Sequence, residues 1–239
     1  MALEPFLSAK WKYLAMINYE IDPSILTPFI PQGTQIDLLN GKAYVSLVGF
    51  MFLDTFIRGF PIPFHRDFEE VNLRFYVKKN DDGRRGVVFI KEIVPRWGIA
   101  YIARRFYNEK YVALPMKHLI NKQTTHISVE YQWEFKGKWQ KIALQCQGEP
   151  HPLISGSEEE FMSEHYWGYS VQRDGGTLEY QVEHLPWRIW NAELCDVAVD
   201  MESLYGPVFA PFLEEKPASS FLAEGSDVLV YKGERVTVG

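Results

Sequence analysis

With only two cysteines, Cys146 and Cys195, the chain has too few thiols for a disulfide framework or a cysteine zinc site. It also lacks a basic excess. Its 25 Lys and Arg stand against 31 Asp and Glu, and a net charge of −6 has the wrong sign for a general nucleic-acid binder. No apolar run reaches the roughly 18 residues that a membrane span needs. Glu4 stands where a secretory signal carries basic residues, so the expected location is the cytoplasm. No serine sits in a Gly-x-Ser-x-Gly elbow, which leaves a nucleophilic triad unsupported. Repeats and long linkers are absent, and one domain over residues 1–239 is expected. What the chain has in excess is aromatic residues, at 15%, enough for a large core or an aromatic-lined cavity.

Alternation dominates the pattern. Ile127, Val129, Tyr131, Trp133 and Phe135 share one face of an expected strand, and His126, Ser128, Glu130, Gln132 and Glu134 share the other. Lys136-Gly137-Lys138 turns that strand into a partner running from Trp139 to Gln147. Asn40-Gly41 signals a two-residue hairpin between Gln35–Leu39 and Lys42–Phe52. Asn80-Asp81-Asp82-Gly83 joins Val71–Lys78 to Gly86–Val94, and Arg173-Asp174-Gly175-Gly176 joins Tyr166–Gln172 to Thr177–His184. Further strands are expected over Arg188–Val199 and Asp227–Tyr231. Helices are short: one after the Asp22-Pro23 cap, one over Gly98–Asn108, one from the Ser157 capping box, and one over Asp200–Tyr205. Many long strands with a few short helices predict a mainly β (α+β) fold, a closed antiparallel β barrel.

In Phe60–Lys78, Val71, Leu73, Phe75 and Val77 fall on one face, and Glu70, Asn72, Arg74 and Tyr76 on the other. A carboxylate and a guanidinium four positions apart on a strand can bracket a polar ligand; a solvated ion pair on an outer face is the alternative. On the partner strand Val87, Phe89, Lys91 and Ile93 are expected to alternate with Val88, Ile90, Glu92 and Val94. Glu92 with Arg96 forms a second candidate pair, with a structural salt bridge as its alternative. His65-x-Asp67-x-Glu69 has the donor types for a transition metal, but the preceding prolines favour a loop, so no metal site is expected and no cofactor is implied. His165 and Trp167, in Glu164-His-Tyr-Trp-Gly168, are candidates for ligand contact, as is His184. Arg104 and Arg105 with Tyr107, Asn108 and Tyr111 are candidates for a mouth around an anion. Both cysteines lie in strand-like runs and read as buried structural thiols.

Asn18-Tyr-Glu-Ile-Asp-Pro23, Val45-Ser-Leu-Val-Gly-Phe50, Phe64-His-Arg-Asp-Phe-Glu-Glu-Val-Asn-Leu-Arg-Phe-Tyr-Val77 and Phe161-Met-Ser-Glu-His-Tyr-Trp-Gly168 resemble the bacterial YqjF-like family. That family in turn is similar to acetoacetate decarboxylase, which implies a cone-like barrel around an internal cavity. The resemblance places Lys12 where the decarboxylase has a cavity arginine, Glu70 near a cavity glutamate, and Glu92 on the glutamate of its Gly-Arg-Glu segment. The lysine that forms an imine with the keto substrate is replaced, because the matching segment reads Pro95-Arg96-Trp97. A guanidinium stays protonated and is no amine nucleophile. Lys91 lies nearby but on the other side of the motif.

Three functions are compatible with this reading. The first is an aromatic-walled cavity in which Lys12, Glu70, Arg74 and Arg96 orient a small organic acid or carbonyl compound, with His65, Asn72, Tyr107, His165 and Trp167 as further ligand contacts. The second is an enzyme with Glu70 or Glu92 as base and Arg96 as electrostatic stabiliser. The third is a structural protein whose barrel is filled by its own side chains. The expected partner is a small molecule, with no nucleic acid or membrane, and the expected assembly is a homodimer.

Overall fold

The computed structural model describes residues 4–61, 65–98, 100 and 108–236. Its strands are β1 (Pro5–Ile21), β2 (Thr34–Ile36), β3 (Ala43–Ile57), β4 (Phe60–Pro61), β5 (Phe68–Lys79), β6 (Arg85–Val94), β7 (Tyr111–Ala113), β8 (Met116–Lys122) and β9 (His126–Phe135). They continue as β10 (Lys138–Gln147), β11 (His151–Pro152), β12 (Trp167–Val171), β13 (Thr177–His184), β14 (Arg188–Ala198), β15 (Ser219–Ala223), β16 (Asp227–Tyr231) and β17 (Glu234–Arg235). Short helices among the described residues include α1 (Pro23–Leu26), α2 (Glu158–Ser163), α3 (Met201–Tyr205) and α4 (Ala210–Leu213). None of the described helices is long and apolar enough to cross a membrane.

Following the pairings from β1 through β3, β5, β6, β12, β13 and β16 returns to β1, which closes a seven-stranded barrel. Closure leaves these strands without a free edge. The seam is the short parallel contact of β6 with β12, where Gly86 faces Trp167 and Val87 faces Gly168. A second sheet, β8-β9-β10-β14, is joined to the barrel through β15. Between the two layers lies the larger core, in which Ile17, Leu47, Leu73 and Phe75 of the barrel's outer face meet Val129, Tyr131, Trp133 and Ile142. The inner face carries a separate cluster that includes Leu14, Met16, Phe50, Phe68, Tyr76 and Phe161.

The expected turns are present. Asn40 and Gly41 have φ of 51° and 81°, the left-handed pair that a type I′ turn requires, and Leu39 and Lys42 exchange both backbone hydrogen bonds. The strand before this turn nevertheless pairs with β5 rather than with β3, so it is no simple hairpin. Ser157 caps α2 by accepting from Glu160 N at 3.1 Å. The helix expected over Gly98–Asn108 lies largely outside the described residues, and Asn108 itself is non-helical at φ 53°. Cys146 is buried as expected, whereas Cys195 is exposed on β14.

Two bulges decide which side chains face the barrel interior. In β1 the pairing with β3 slips between Lys12 and Ala15, and Tyr13 adopts φ 58°. Trp11 and Leu14 therefore both face inward although three positions separate them, because one extra residue inverts the alternation. In β6 the register slips where Leu73 faces Lys91 and Arg74 faces Phe89. Val87, Phe89 and Glu92 consequently point inward, while Val88, Ile90 and Ile93 join the outer core. The strict alternation expected for this strand holds only up to that bulge. Lys91 is turned outward, where its ammonium donates to Leu204 O and lies 5.7 Å from the centre of the Tyr205 ring.

Candidate functional site

The barrel surrounds a partly open cavity of about 120 Å³ with mostly apolar walls, built from Trp11, Phe50, Phe52, Phe68, Phe89 and Trp167. Cavities of roughly 150 Å³ admit a molecule the size of benzene. The polar face expected for β5 lines it: Glu70, Asn72 and Arg74 all point inward, and Glu92, Glu109, Tyr111, His165 and Tyr180 complete the polar wall. All three carboxyl residues are buried, at 2%, 2% and 7% exposure for Glu70, Glu92 and Glu109.

Glu70 accepts from Asn72 Nδ2 and from the Tyr111 hydroxyl, each at 2.9 Å. Burial raises its pKa to about 7, against the pull of these two donors and of the Arg74 charge. Glu109 accepts from the Tyr180 hydroxyl at 2.9 Å, and burial raises it to about 8. Glu92 lies well above the usual carboxylate range, first because it is buried and then because Glu109 and Glu70 repel its charge. Its Oε2 has no hydrogen-bond partner among the described residues. Three acids in one low-dielectric wall cannot all ionise at neutral pH, so this wall holds exchangeable protons.

Opposite in sign is Arg74, whose guanidinium donates to Met162 O at 3.2 Å and leaves Nε unpartnered. His165 shares the Tyr76 ring with it: the Arg74 guanidinium carbon lies 5.8 Å and the His165 ring 4.7 Å from the Tyr76 ring centre. His165 Nε2 meets Asp37 Oδ2 at 3.2 Å, and Arg85 Nε reaches the same oxygen at 2.6 Å. Burial tends to raise the Asp37 pKa, but the hydrogen bonds from His165 and Arg85 outweigh it and keep the carboxylate ionised. Burial lowers His165 to about 4, so the ring is neutral at pH 7.

The other candidates lie elsewhere. Arg96 follows the end of β6 and is exposed, outside the cavity wall, so no Glu92–Arg96 pair forms there. The bulge in β1 turns Lys12 away, and its ammonium donates to Gly225 O at 3.1 Å. His65 packs by Gly98 and does not line the cavity. Asp67 accepts from Asp54 N at 2.8 Å and Glu69 pairs with His118 at 2.6 Å, so the three potential metal donors diverge. His184 stacks on Trp187 at 4.2 Å, off the cavity. Tyr107, Arg104 and Arg105 lie outside the described residues. Tyr111 sits in the wall as a donor to Glu70, so the anion it meets is the protein's own carboxyl. Sequence reasoning missed Glu109, Trp11 and Tyr180; the one available signal for Glu109 was its place between Tyr107 and Tyr111 in an aromatic stretch.

A pH dependence of stability follows. Glu70 and Glu109 have folded pKa values of about 7 and about 8 against 4.5 unfolded, so their contribution is fully present below 4.5 and is lost as pH rises through 7 and 8. His165, lowered from 6.5 to about 4, acts in the opposite sense and only below 6.5. Between pH 6.5 and 8 the thermal midpoint should therefore fall, and Glu109→Gln should flatten that fall in a thermal melt series.

Comparison with known proteins agrees with this architecture. YqjF of Bacillus subtilis (strain 168), an uncharacterized protein, is 28% identical over 188 residues, covering 77% of this chain and 74% of its own. Acetoacetate decarboxylase from Legionella pneumophila superposes with a TM-score of 0.66 at 13% identity, covering 98% of this chain and 87% of that one. An acetoacetate decarboxylase-like enzyme from Sphingomonas wittichii RW1 gives 0.69 at 11% identity, with 99% and 95% covered. The enduracididine biosynthesis enzyme MppR complexed with pyruvate gives 0.65 at 10%, with 99% and 92% covered. At identities this low, these superpositions show a shared fold and nothing further. The family model DUF2071, described as an uncharacterized conserved protein, matches residues 8–227, and the chain belongs to that family.

Proposed function

We propose that this protein binds a small organic acid or carbonyl compound in the barrel cavity and does so without imine chemistry. The observation that carries the reading is Arg74, a buried cation with an unpartnered Nε on an otherwise aromatic and acidic wall. A planar guanidinium suits a carboxylate, and the aromatic side chains suit an apolar tail. Among the described residues that line the cavity there is no lysine, which supports the absence of a Schiff-base nucleophile. The segment Pro95-Arg96-Trp97 supports it as well, since it has no amine where the decarboxylase has one.

A second reading is favoured by the acid cluster. Glu70 at about 7 and Glu109 at about 8 are poised for proton transfer near neutrality, and Arg74 takes the stabilising role expected of Arg96. The cavity would then catalyse an acid–base reaction on the bound compound. Homodimer formation, a cytoplasmic location and a one-domain organisation belong to the same proposal on sequence grounds alone.

Isothermal titration with small branched carboxylates, alongside borohydride treatment with a 2-oxo acid, tests the reading. Saturable binding with an unchanged protein mass is the expected result. Failure of every acid to bind, or a reduced adduct on a lysine such as Lys91 or Lys12, would overturn it.

A further inference from the structure

Five of the buried polar atoms that lack a partner among the described residues belong to this one cavity: Trp11 Nε1, Asn72 Oδ1, Arg74 Nε, Glu92 Oε2 and His165 Nδ1. Native interiors rarely leave such atoms unmatched, so their gathering describes the polar outline of what the cavity takes. Their chemistry is fixed by their other contacts. Arg74 Nε and Trp11 Nε1 can only donate. Asn72 donates one amide hydrogen to Glu70, which fixes the amide's orientation and leaves Oδ1 as an acceptor.

His165 is the informative member. The Asp37 carboxylate is held by Arg85, so the hydrogen between Asp37 and His165 belongs to Nε2. The neutral ring then presents Nδ1 as a bare lone pair, an acceptor with no hydrogen to give. Arg74 and His165 both pack on Tyr76 and both line the cavity, so a cation suited to a carboxylate and an acceptor suited to a hydroxyl belong to one wall.

We propose, resting on the binding function above, that the cavity selects 2-hydroxy acids. The carboxylate meets Arg74, the adjacent hydroxyl donates to His165 Nδ1, and the apolar tail lies among Trp11, Phe50 and Phe68. A 2-oxo acid sets a carbonyl oxygen against that lone pair, acceptor facing acceptor, and an unsubstituted acid leaves it unmatched. Both are rejected, because burying an unpaired polar atom is costly whereas the matched hydroxyl costs nothing of the kind.

The test compares lactate, pyruvate and propanoate, acids small enough for a cavity of about 120 Å³, by calorimetry on the wild-type protein. The hydroxy acid is expected to bind roughly tenfold tighter or more than either analogue. His165→Phe should erase that preference, leaving the hydroxy and unsubstituted acids alike; should that variant fail to fold, the wild-type comparison decides alone. Equal affinities for the three acids in the wild type would overturn the hydroxyl selection and leave the binding function standing. No binding of any of them would overturn both. A preference that survives in a folded His165→Phe would remove His165 from the proposal.

Discussion

Replacing Arg74 with Met should abolish carboxylate binding while leaving the protein as stable as before. Truncating one partner of a buried charge contact costs about 2–4 kcal/mol in binding, which is roughly a 30- to 1000-fold loss of affinity. Stability should respond differently. Arg74 is buried and, among the described residues, holds one hydrogen bond, to Met162 O, and leaves Nε unpaired. As a structural element it is poorly matched, and a buried ion replaced by an apolar side chain of similar volume is often neutral or stabilising. Calorimetry and a thermal melt on the same variant separate the two effects. Arg96→Ala and Lys12→Ala serve as controls, because both side chains lie off the cavity wall, and each should leave affinity within about twofold, the range of surface charge changes. A folded Arg74→Met that still binds acids normally would place the anion elsewhere.

The second large effect concerns closure of the barrel. At Gly86 an added Cβ would lie 2.5 Å from Trp167 O and 2.6 Å from the Tyr169 ring, and neither the backbone nor that fully buried ring can yield cheaply. The need there is for space, since β6 and β12 approach closely along their short parallel contact. Gly86→Ala should destabilise by about 3 kcal/mol, at the upper end for overpacking. For a chain of this size that lowers the thermal midpoint by roughly 6–12 °C. An alanine at Gly41, where a Cβ meets nothing within 4 Å but φ is 81°, tests turn strain without crowding and should cost less. A melt in which Gly86→Ala behaves like wild type would mean that the seam is looser than described.

Much of this architecture is legible in the residues because alternation and turn chemistry are local properties. Lys136-Gly137 places its turn with both residues at positive φ, and the inward row Glu70, Asn72, Arg74 follows from a period of two on a strand without a bulge. What local pattern cannot supply is the parity change at a bulge. Nothing in Lys12-Tyr13-Leu14 announces that Tyr13 turns left-handed, so Lys12 reads as a cavity residue by resemblance although the bulge directs it to Gly225 O. The bulge in β6 likewise brings Glu92 inward beside Phe89 and sends Lys91 to Leu204.

Arg96 shows a different limit. Matching a motif position assigns a residue to the role of the one it replaces, but an exposed side chain beyond the end of β6 has no access to that cavity. The cation that does line the cavity, Arg74, comes instead from β5, where alternation alone had already placed it. Glu109 enters through β7, whose parallel pairing with β6 sets Tyr111 beside Glu92, a long-range contact that no spacing rule encodes.

The most direct measurement is a crystal structure of the protein soaked with a small branched carboxylic acid. The carboxylate should lie within hydrogen-bonding distance of the Arg74 guanidinium, with the alkyl tail against Trp11 and Phe68 and no covalent link to any lysine. Density for the acid at Arg96 or at the surface only, or a barrel interior closed by its own side chains, would contradict the account.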